Sequence, residues 1–376
     1  MRPYNAKLSR KKPLSHSFGH YTIGNQWSIF AHRFGLMFNT TEMNHETEFY
    51  YQWHITDMCN LRCRHCYHAE YNRVGLSIDA LLRIGNHLCG AVKKWGKIGS
   101  FSITGGEPFT RKDEVFQLLD MIEMRDEIGH VDILTNGTLI DNGIISALKK
   151  YKKLRRIQLS LEGLEPTNDE IRGAGSYRAV TDTIERLNRN GLTTCVMMTL
   201  SRHNKEEVIP LAERMGEIGV EAFVLDRFIP EGQSQHLKGW VLSSAEIRQV
   251  YEKSYEYFQK TTIPRMLLYR TLFCLLNPDD EHIGAMCSVG NNALTIMPSG
   301  DVYPCRRLPI YLGNLTETTV YDIWYTHPLL WEFRNPDNLK GKCKACEFIP
   351  VCRGCRAFAY ATTGDYLEAD SHCWKD

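Results

Sequence analysis

The sequence has no apolar run long enough to cross a bilayer. It also lacks a secretory leader, because the basic N-terminus is not followed by a run of roughly 7–15 apolar residues. These absences predict a cytoplasmic chain without a membrane segment. Neither sign of charge is in excess: 45 Lys and Arg stand against 44 Asp and Glu, a formal net charge of +1. That excludes a polybasic membrane anchor and gives no footprint of a nucleic-acid binder. Acidic residues are missing from the first forty positions, where six Lys or Arg stand and Lys11 and Lys12 are adjacent. This stretch reads as a solvated, partly ordered extension, with attraction to an acidic partner as the other reading. Internal repeats and low-complexity tracts are also missing. Cysteine is not scarce, at thirteen residues. An odd count rules out a fully paired disulfide scaffold, and a reducing compartment disfavours disulfides anyway. The close spacings point instead to thiolate–metal chemistry.

With 376 residues, 43% of them hydrophobic, the chain can build one large domain or two ordinary ones without staples. Strand-like apolar runs fall at 51–57, 100–104, 131–135, 156–161, 193–199 and 221–225. Helix-like stretches fall near 77–94, 111–126, 139–150, 176–189 and 204–217. Ser77, Asp141 or Asn142, and Ser176 stand at helix starts. Gly99, Gly129, Gly191 and Gly219 stand where a helix would stop. Alternation with such short loops implies parallel β–α units. The predicted fold is α/β: a partial or complete β/α barrel, or an open doubly wound sheet. Four segments follow. Residues 1–50 form an N-terminal extension, with a hairpin possible over Tyr21–Asn39. Residues 51–240 form the core, and 241–286 a helical bridge with a helix over 243–262. Residues 287–376, rich in Cys, Gly and Pro, form a small domain organised around metal.

Cys59, Cys63 and Cys66 fall at C-x3-C-x2-C directly after the first strand-like run. In a β/α fold that is the first βα loop, at the face where such folds carry their sites. Three thiolates can hold three irons of a cubane and leave the fourth open for a chelating ligand. A zinc site completed by His65 or His68 is the alternative. Gly105-Gly106-Glu107-Pro108 follows the second strand: the glycines allow close backbone approach to a ligand, and Glu107 adds an acceptor. Polar residues end the later strands, among them Asn136, Ser160, Glu162, Thr199, Asp226 and Arg227.

With the cysteine triplet at 59–66, Gly-Gly-Glu-Pro at 105–108 and the β/α order through about residue 230, the sequence resembles the radical SAM superfamily. The resemblance implies a partial (β/α)6 barrel and a [4Fe–4S] cluster on Cys59, Cys63 and Cys66, whose open iron is chelated by S-adenosylmethionine. It sets His65 near the adenine, and Gly105, Gly106 and Glu107 at the methionine amino group. Asn136 and Ser160 fall along the adenosyl part, and Arg172 at the carboxylate.

The tail carries Cys287, Gly300 and Cys305, then Cys343, Cys346, Cys352 and Cys355, and last Cys373. Read alone, its two C-x2-C pairs suit a zinc ribbon, but seven cysteines exceed one tetrahedral site. The pattern resembles the SPASM extension of radical SAM enzymes, which implies two auxiliary iron–sulfur clusters of [4Fe–4S] type. By that resemblance Cys343, Cys346, Cys352 and Cys373 hold the outer cluster, and Cys287, Cys305 and Cys355 the inner one. The family's commoner spacing in the last pair is three residues, and here it is two. Cys274, in the apolar run TLFCLLN, has two readings: fourth ligand of the inner cluster, or buried core thiol. Cys89 reads as core. Cys195 also reads as core, or as a hydrogen donor to a substrate radical if it faces the barrel interior.

The resemblance further implies reductive cleavage of S-adenosylmethionine and hydrogen abstraction from a substrate. Its SPASM members modify a ribosomally made peptide or a protein side chain, or else a tetrapyrrole in the haem pathway, for which Arg227, Arg306 and Arg307 would suit a carboxylate. A flavodoxin or ferredoxin is the implied reductant. Fifty residues before the first strand are too few for a leader-binding winged helix, so a leader would need a separate binding protein. A non-catalytic electron-transfer protein is the competing class.

Overall fold

Phe49, Tyr51 and Trp53 alternate with Tyr50, Gln52 and His54, and a strand sends alternate residues to opposite faces. In the computed structural model, which describes residues 48–266, 271–278 and 287–375, this segment is strand β1 (Glu48–His54). Its three large apolar side chains are at most 1% exposed and pack into the main core. Burial of each contributes about 1.5–3 kcal/mol. Helix α1 (Ile78–Lys94) supplies the opposing surface through Leu81, Ile84, Leu88 and Val92. Ser77 caps it by accepting from the Ala80 amide.

The unit repeats. β2 (Ile98–Thr104), α2 (Lys112–Glu123), β3 (Ile128–Thr135), α3 (Asn142–Leu148) and β4 (Leu154–Ser160) follow in order. Next come α4 (Glu165–Arg172), α5 (Ser176–Arg189), β5 (Thr194–Leu200), α6 (Val208–Glu217) and β6 (Ala222–Arg227). β1 to β6 pair in parallel in sequence order. Gly191 and Gly219 end α5 and α6 with positive φ, 75° and 79°, as expected of helix stops. Gly99 and Gly129 do not: they lie inside β2 and β3, where they make room for Ile128 and Ile98.

Beyond β6 runs α7 (Ser244–Lys260), started by a capping box of Ser243 and Glu246. The short β7 (Arg265–Met266) then pairs with β6. The cysteine-rich region contributes β8 (Ala293–Ile296), β9 (Asp301–Tyr303) and β10 (Gly313–Asn314), then α8 (Val320–Thr326), α9 (Pro328–Arg334) and α10 (Arg356–Thr363). β8 pairs in parallel with β1, and β9 and β10 add antiparallel. One sheet therefore runs β10-β9-β8-β1-β2-β3-β4-β5-β6-β7, open at both ends, the topology of a partial barrel. The composition change at 287 is no break in the sheet, because the first strand beyond it extends the core. The expected hairpin over 21–39 lies outside the described residues.

One face of the sheet packs on helices through Val131, Ile133, Ile157, Leu159, Val196 and Met198. The opposite face carries the polar partners of that alternation, and their C-terminal ends converge on one pocket.

Candidate active site

The chain leaves β1 at His54 and runs as a loop to Ser77. Arg111, 6% exposed, fixes both ends of that loop: its Nη1 donates to the carbonyls of Ile55 (2.8 Å) and Val74 (3.1 Å), and Nη2 to that of Leu76 (2.9 Å). A buried guanidinium needs acceptors, and three carbonyls plus Glu114 supply them. The sequence reading missed Arg111; its only signal was a lone arginine three residues past Pro108.

Gly105 and Gly106 face the same loop. The Gly106 amide donates to the Thr56 carbonyl and the Glu107 amide to that of Met58, each at 2.8 Å. A Cβ on Gly105 would stand 2.5 Å from the Thr56 oxygen, and one on Gly106 2.4 Å from the Met58 oxygen. The glycines therefore serve first to seat the cysteine loop against the end of β2, and both also line the pocket. Glu107 is fully buried and does not line it. One carboxylate oxygen accepts from Thr135 Oγ1 (2.8 Å) and the Phe109 amide (3.0 Å), and the other from the Asn136 amide (2.7 Å). Burial pushes its carboxyl up to about 7 against those hydrogen bonds. Among the described contacts Glu107 ties the end of β2 to the end of β3.

Cys59, Cys63 and Cys66 are half-buried and all line the pocket. Burial pushes the Cys63 thiol up to about 11, with Arg172 working the other way. Each sulfur has polar neighbours: the Leu61 amide (3.4 Å) and Asn136 Nδ2 (3.8 Å) for Cys59, Arg172 Nη1 (3.9 Å) for Cys63, and the Tyr71 side chain for Cys66. Asn136 also holds Asn60 at 2.9 Å, so the third strand end fixes the start of the triplet.

Glu162, just past β4, is fully buried and gathers the far wall. His65 Nε2 lies 3.0 Å from its Oε1, Arg172 Nε donates to the same oxygen at 3.0 Å, and the Thr199 amide donates to Oε2 at 2.7 Å. Burial raises its carboxyl, but His65 and Arg172 outweigh that and hold it near 2. Arg172 is the last residue of α4, a helix the sequence reading missed because Glu165–Arg172 carries little apolar periodicity. The Arg64 amide, inside the triplet, donates to the Ile171 carbonyl at 2.9 Å. Every residue expected from the sequence around the first cluster is therefore gathered here, and all but Glu107 line the pocket.

Cys195 lies in the small apolar group with Ala222, Val224 and Met197, on the pocket face of the sheet. It does not line the pocket: Met197 and Gln158 do, and Gln158 Nε2 meets Met197 Sδ at 3.4 Å. Direct hydrogen donation from Cys195 is not supported by that placement.

Cys89 is buried in the main core, and the other thiols fall into two groups. Cys287, Cys305 and Cys355 act on one another electrostatically, as do Cys343, Cys352 and Cys373. Cys346 follows Cys343 by one turn, its amide on the Cys343 carbonyl. Cys274, buried, hydrogen-bonds Cys352 and lies near Cys346. It belongs with the second group and not with Cys287, Cys305 and Cys355, as its reading as an inner ligand required.

Three cysteines line one pocket with backbone from Gly105–Gly106 and polar strand ends, a set of soft sulfur donors whose chemistry suits iron–sulfur binding. Family models agree in extent: the radical SAM superfamily matches residues 53–215, and an iron–sulfur cluster-binding domain, SPASM, matches 287–356. The chain belongs to the radical SAM superfamily and carries a SPASM domain. It is 30% identical over 339 residues to the AdoMet-dependent heme synthase of Methanosarcina barkeri, covering 85% of this chain and 95% of that one. To the antilisterial bacteriocin subtilosin biosynthesis protein AlbA of Bacillus subtilis it is 26% identical, over 80% of this chain and 65% of that one. Its fold is close to that of Streptococcus suis SuiB bound to the precursor peptide SuiA (TM-score 0.70, 21% identity, 88% of this chain and 77% of that one). It is also close to anSMEcpe with bound AdoMet and the Cp18Cys peptide (TM-score 0.69, 17% identity, 87% and 94%). The chain is thus a radical SAM/SPASM iron–sulfur enzyme. Among the described residues no helix is long and apolar enough to cross a membrane.

Proposed function

We propose that the chain cleaves S-adenosylmethionine reductively and uses the radical to oxidise a peptide or protein side chain. The observation that carries this is the Cys59, Cys63 and Cys66 loop held against Gly105–Gly106 and open to the pocket. When bound, the cluster and S-adenosylmethionine supply the electron and the 5′-deoxyadenosyl radical. The chain's own residues bind and orient. Cys59, Cys63 and Cys66 hold the first cluster, and Gly105 and Gly106 offer backbone to the amino acid end. His65, Asn136 and Ser160 flank the nucleoside, and Arg172 is positioned by Glu162 for the carboxylate. Such fixing keeps the reactive carbon beside one substrate hydrogen and away from water.

Cys287, Cys305 and Cys355 would hold an inner auxiliary cluster, and Cys343, Cys346, Cys352 and Cys373 an outer one, both of [4Fe–4S] type. Together they form a route for the electron that an oxidative outcome releases. A flavodoxin or ferredoxin in the cytoplasm would serve as reductant. The peptide reading is supported by the architecture shared with SuiB and anSMEcpe and by the AlbA relationship. A second reading, oxidative decarboxylation of a tetrapyrrole, is favoured by the 30% identity across 95% of a heme synthase.

Two measurements test this. Anaerobic reduction with S-adenosylmethionine is expected to yield 5′-deoxyadenosine, and none above background from Cys59→Ala; equal yields would sink the enzyme reading. Turnover with a propionate-bearing iron porphyrin separates the substrates. Release of carbon dioxide assigns the tetrapyrrole, and unchanged porphyrin retains the peptide.

A further inference from the structure

Among the described residues four arginines line the pocket, Arg172, Arg227, Arg306 and Arg307, and no Asp or Glu does. Behind them stand three carboxylates. Arg172 is held by Glu162. Arg227, fully buried, is bidentate with Asp370 at 2.8 and 3.1 Å and also meets His372 Nδ1 at 3.0 Å. Arg307 donates to Asp226 Oδ1 at 2.8 Å and to the Arg227 carbonyl at 2.6 Å. These three are committed. Arg306 is different: its approach to the shared Asp226 is 3.6 Å, beyond hydrogen-bond range, its guanidinium lies over the Tyr67 ring at 5.2 Å, and its side-chain hydrogen bond is to Tyr67 rather than to a carboxylate. Of the four, Arg306 therefore has the weakest hold on a carboxylate of the chain, and its side chain is 14% exposed.

We infer that Arg306 is the anchor for a carboxylate of the substrate, so that the enzyme selects an anionic substrate. A guanidinium fork has five N–H donors, and its bond to Tyr67 leaves enough of them to grip a carboxylate bidentately. The Tyr67 ring beneath it fixes the plane of the fork. The inference narrows the wall from three arginines to one, since Arg227 and Arg307 are occupied in building it. It rests on the proposed function for the pocket being the substrate site, and its chemistry fits a Glu or Asp side chain or a propionate equally.

The test uses cluster-loaded enzyme with S-adenosylmethionine and two probe pairs, read by equilibrium binding. One pair is mesoporphyrin IX and its dimethyl ester. The other is an end-blocked Ala-Gly-Ala-Glu-Ala-Gly-Ala peptide and its Gln counterpart. In the wild type, the free acid of one pair is expected to bind about tenfold or more tighter than its neutral partner, and that pair names the carboxylate's source. Arg306→Gln is expected to erase the preference, and Arg306→Lys to keep part of it. Iron content is measured alongside, because Arg306 follows Cys305 and could instead balance the charge of an inner cluster. No preference in either pair overturns the inference, as does a preference that survives Arg306→Gln, or loss of inner-cluster iron in Arg306→Gln. Failure of the wild type to cleave S-adenosylmethionine is a separate outcome, and it defeats the proposed function instead.

Discussion

At Gly106 an added methyl group would stand 2.4 Å from one carbonyl oxygen of the cysteine loop and 2.6 Å from the next. Neither neighbour is a flexible side-chain tip, so the loop itself must shift. Gly106→Ala is expected to cost about 1–3 kcal/mol locally and to weaken S-adenosylmethionine binding roughly ten- to hundredfold. Calorimetry on loaded protein, with iron counted before and after, checks this; unchanged affinity would mean the loop is not set by that contact. Single residues were readable where chemistry leaves a spacing, as with the triplet and Gly-Gly-Glu-Pro. They were unreadable where the work is done by a buried contact partner. Arg111, Glu162 as a hub and Asp370 hold other functional groups in place, and isolated charged residues leave no pattern in a sequence. Glu107 shows a motif residue with a second duty the spacing did not announce, since its carboxylate also joins β2 to β3.

Among elements, β3 carries a titration device. His130 shares the pocket-side face of β3 with Asp132 and Leu134, below the pocket, 3.5 Å from Glu48. Burial, then Arg155, pushes its imidazole from the ordinary 6.5 down to about 4, with Asp132 pulling the other way. The unfolded chain therefore binds a proton between those values that the folded chain does not. Stability is full above about pH 6.5 and falls as pH drops toward 4, by at most about 3 kcal/mol from this group. Urea midpoints at about pH 7 and 5 are expected to differ less in His130→Gln than in the wild type; an equal difference would remove His130 as the cause. The helices and strands of the repeating unit were legible because their apolar periods, near 3.6 and 2, are fixed by packing on one side. α4 was not, because Glu165-Pro-Thr-Asn-Asp-Glu buries only Asn168 and Ile171 in the whole helix. The short β8 and β9 were missed because four and three residues carry too few alternations to stand out.

For the molecule as a whole the proposed three clusters predict about 12 Fe per chain after reconstitution. Cys274→Ala is expected to keep that number, since Cys274 is a fifth thiol beside Cys343, Cys346, Cys352 and Cys373. Cys352→Ala is expected to fall to about 8. Iron and sulfide analysis decides, and a fall in Cys274→Ala would make it a ligand. The fold class was legible from strand–helix order. The joining of the cysteine-rich region to the main sheet was not, because pairing between β1 and β8 spans about 240 residues and no local signal reports it.

That pairing makes β1 a shared beam. It carries the first cysteine loop at its C-terminal end, with β2 hydrogen-bonded along one edge and β8, from the cysteine-rich region, along the other. Strands locked in one ladder move together, so a displacement of β8 is passed through β1 to the loop of Cys59, Cys63 and Cys66.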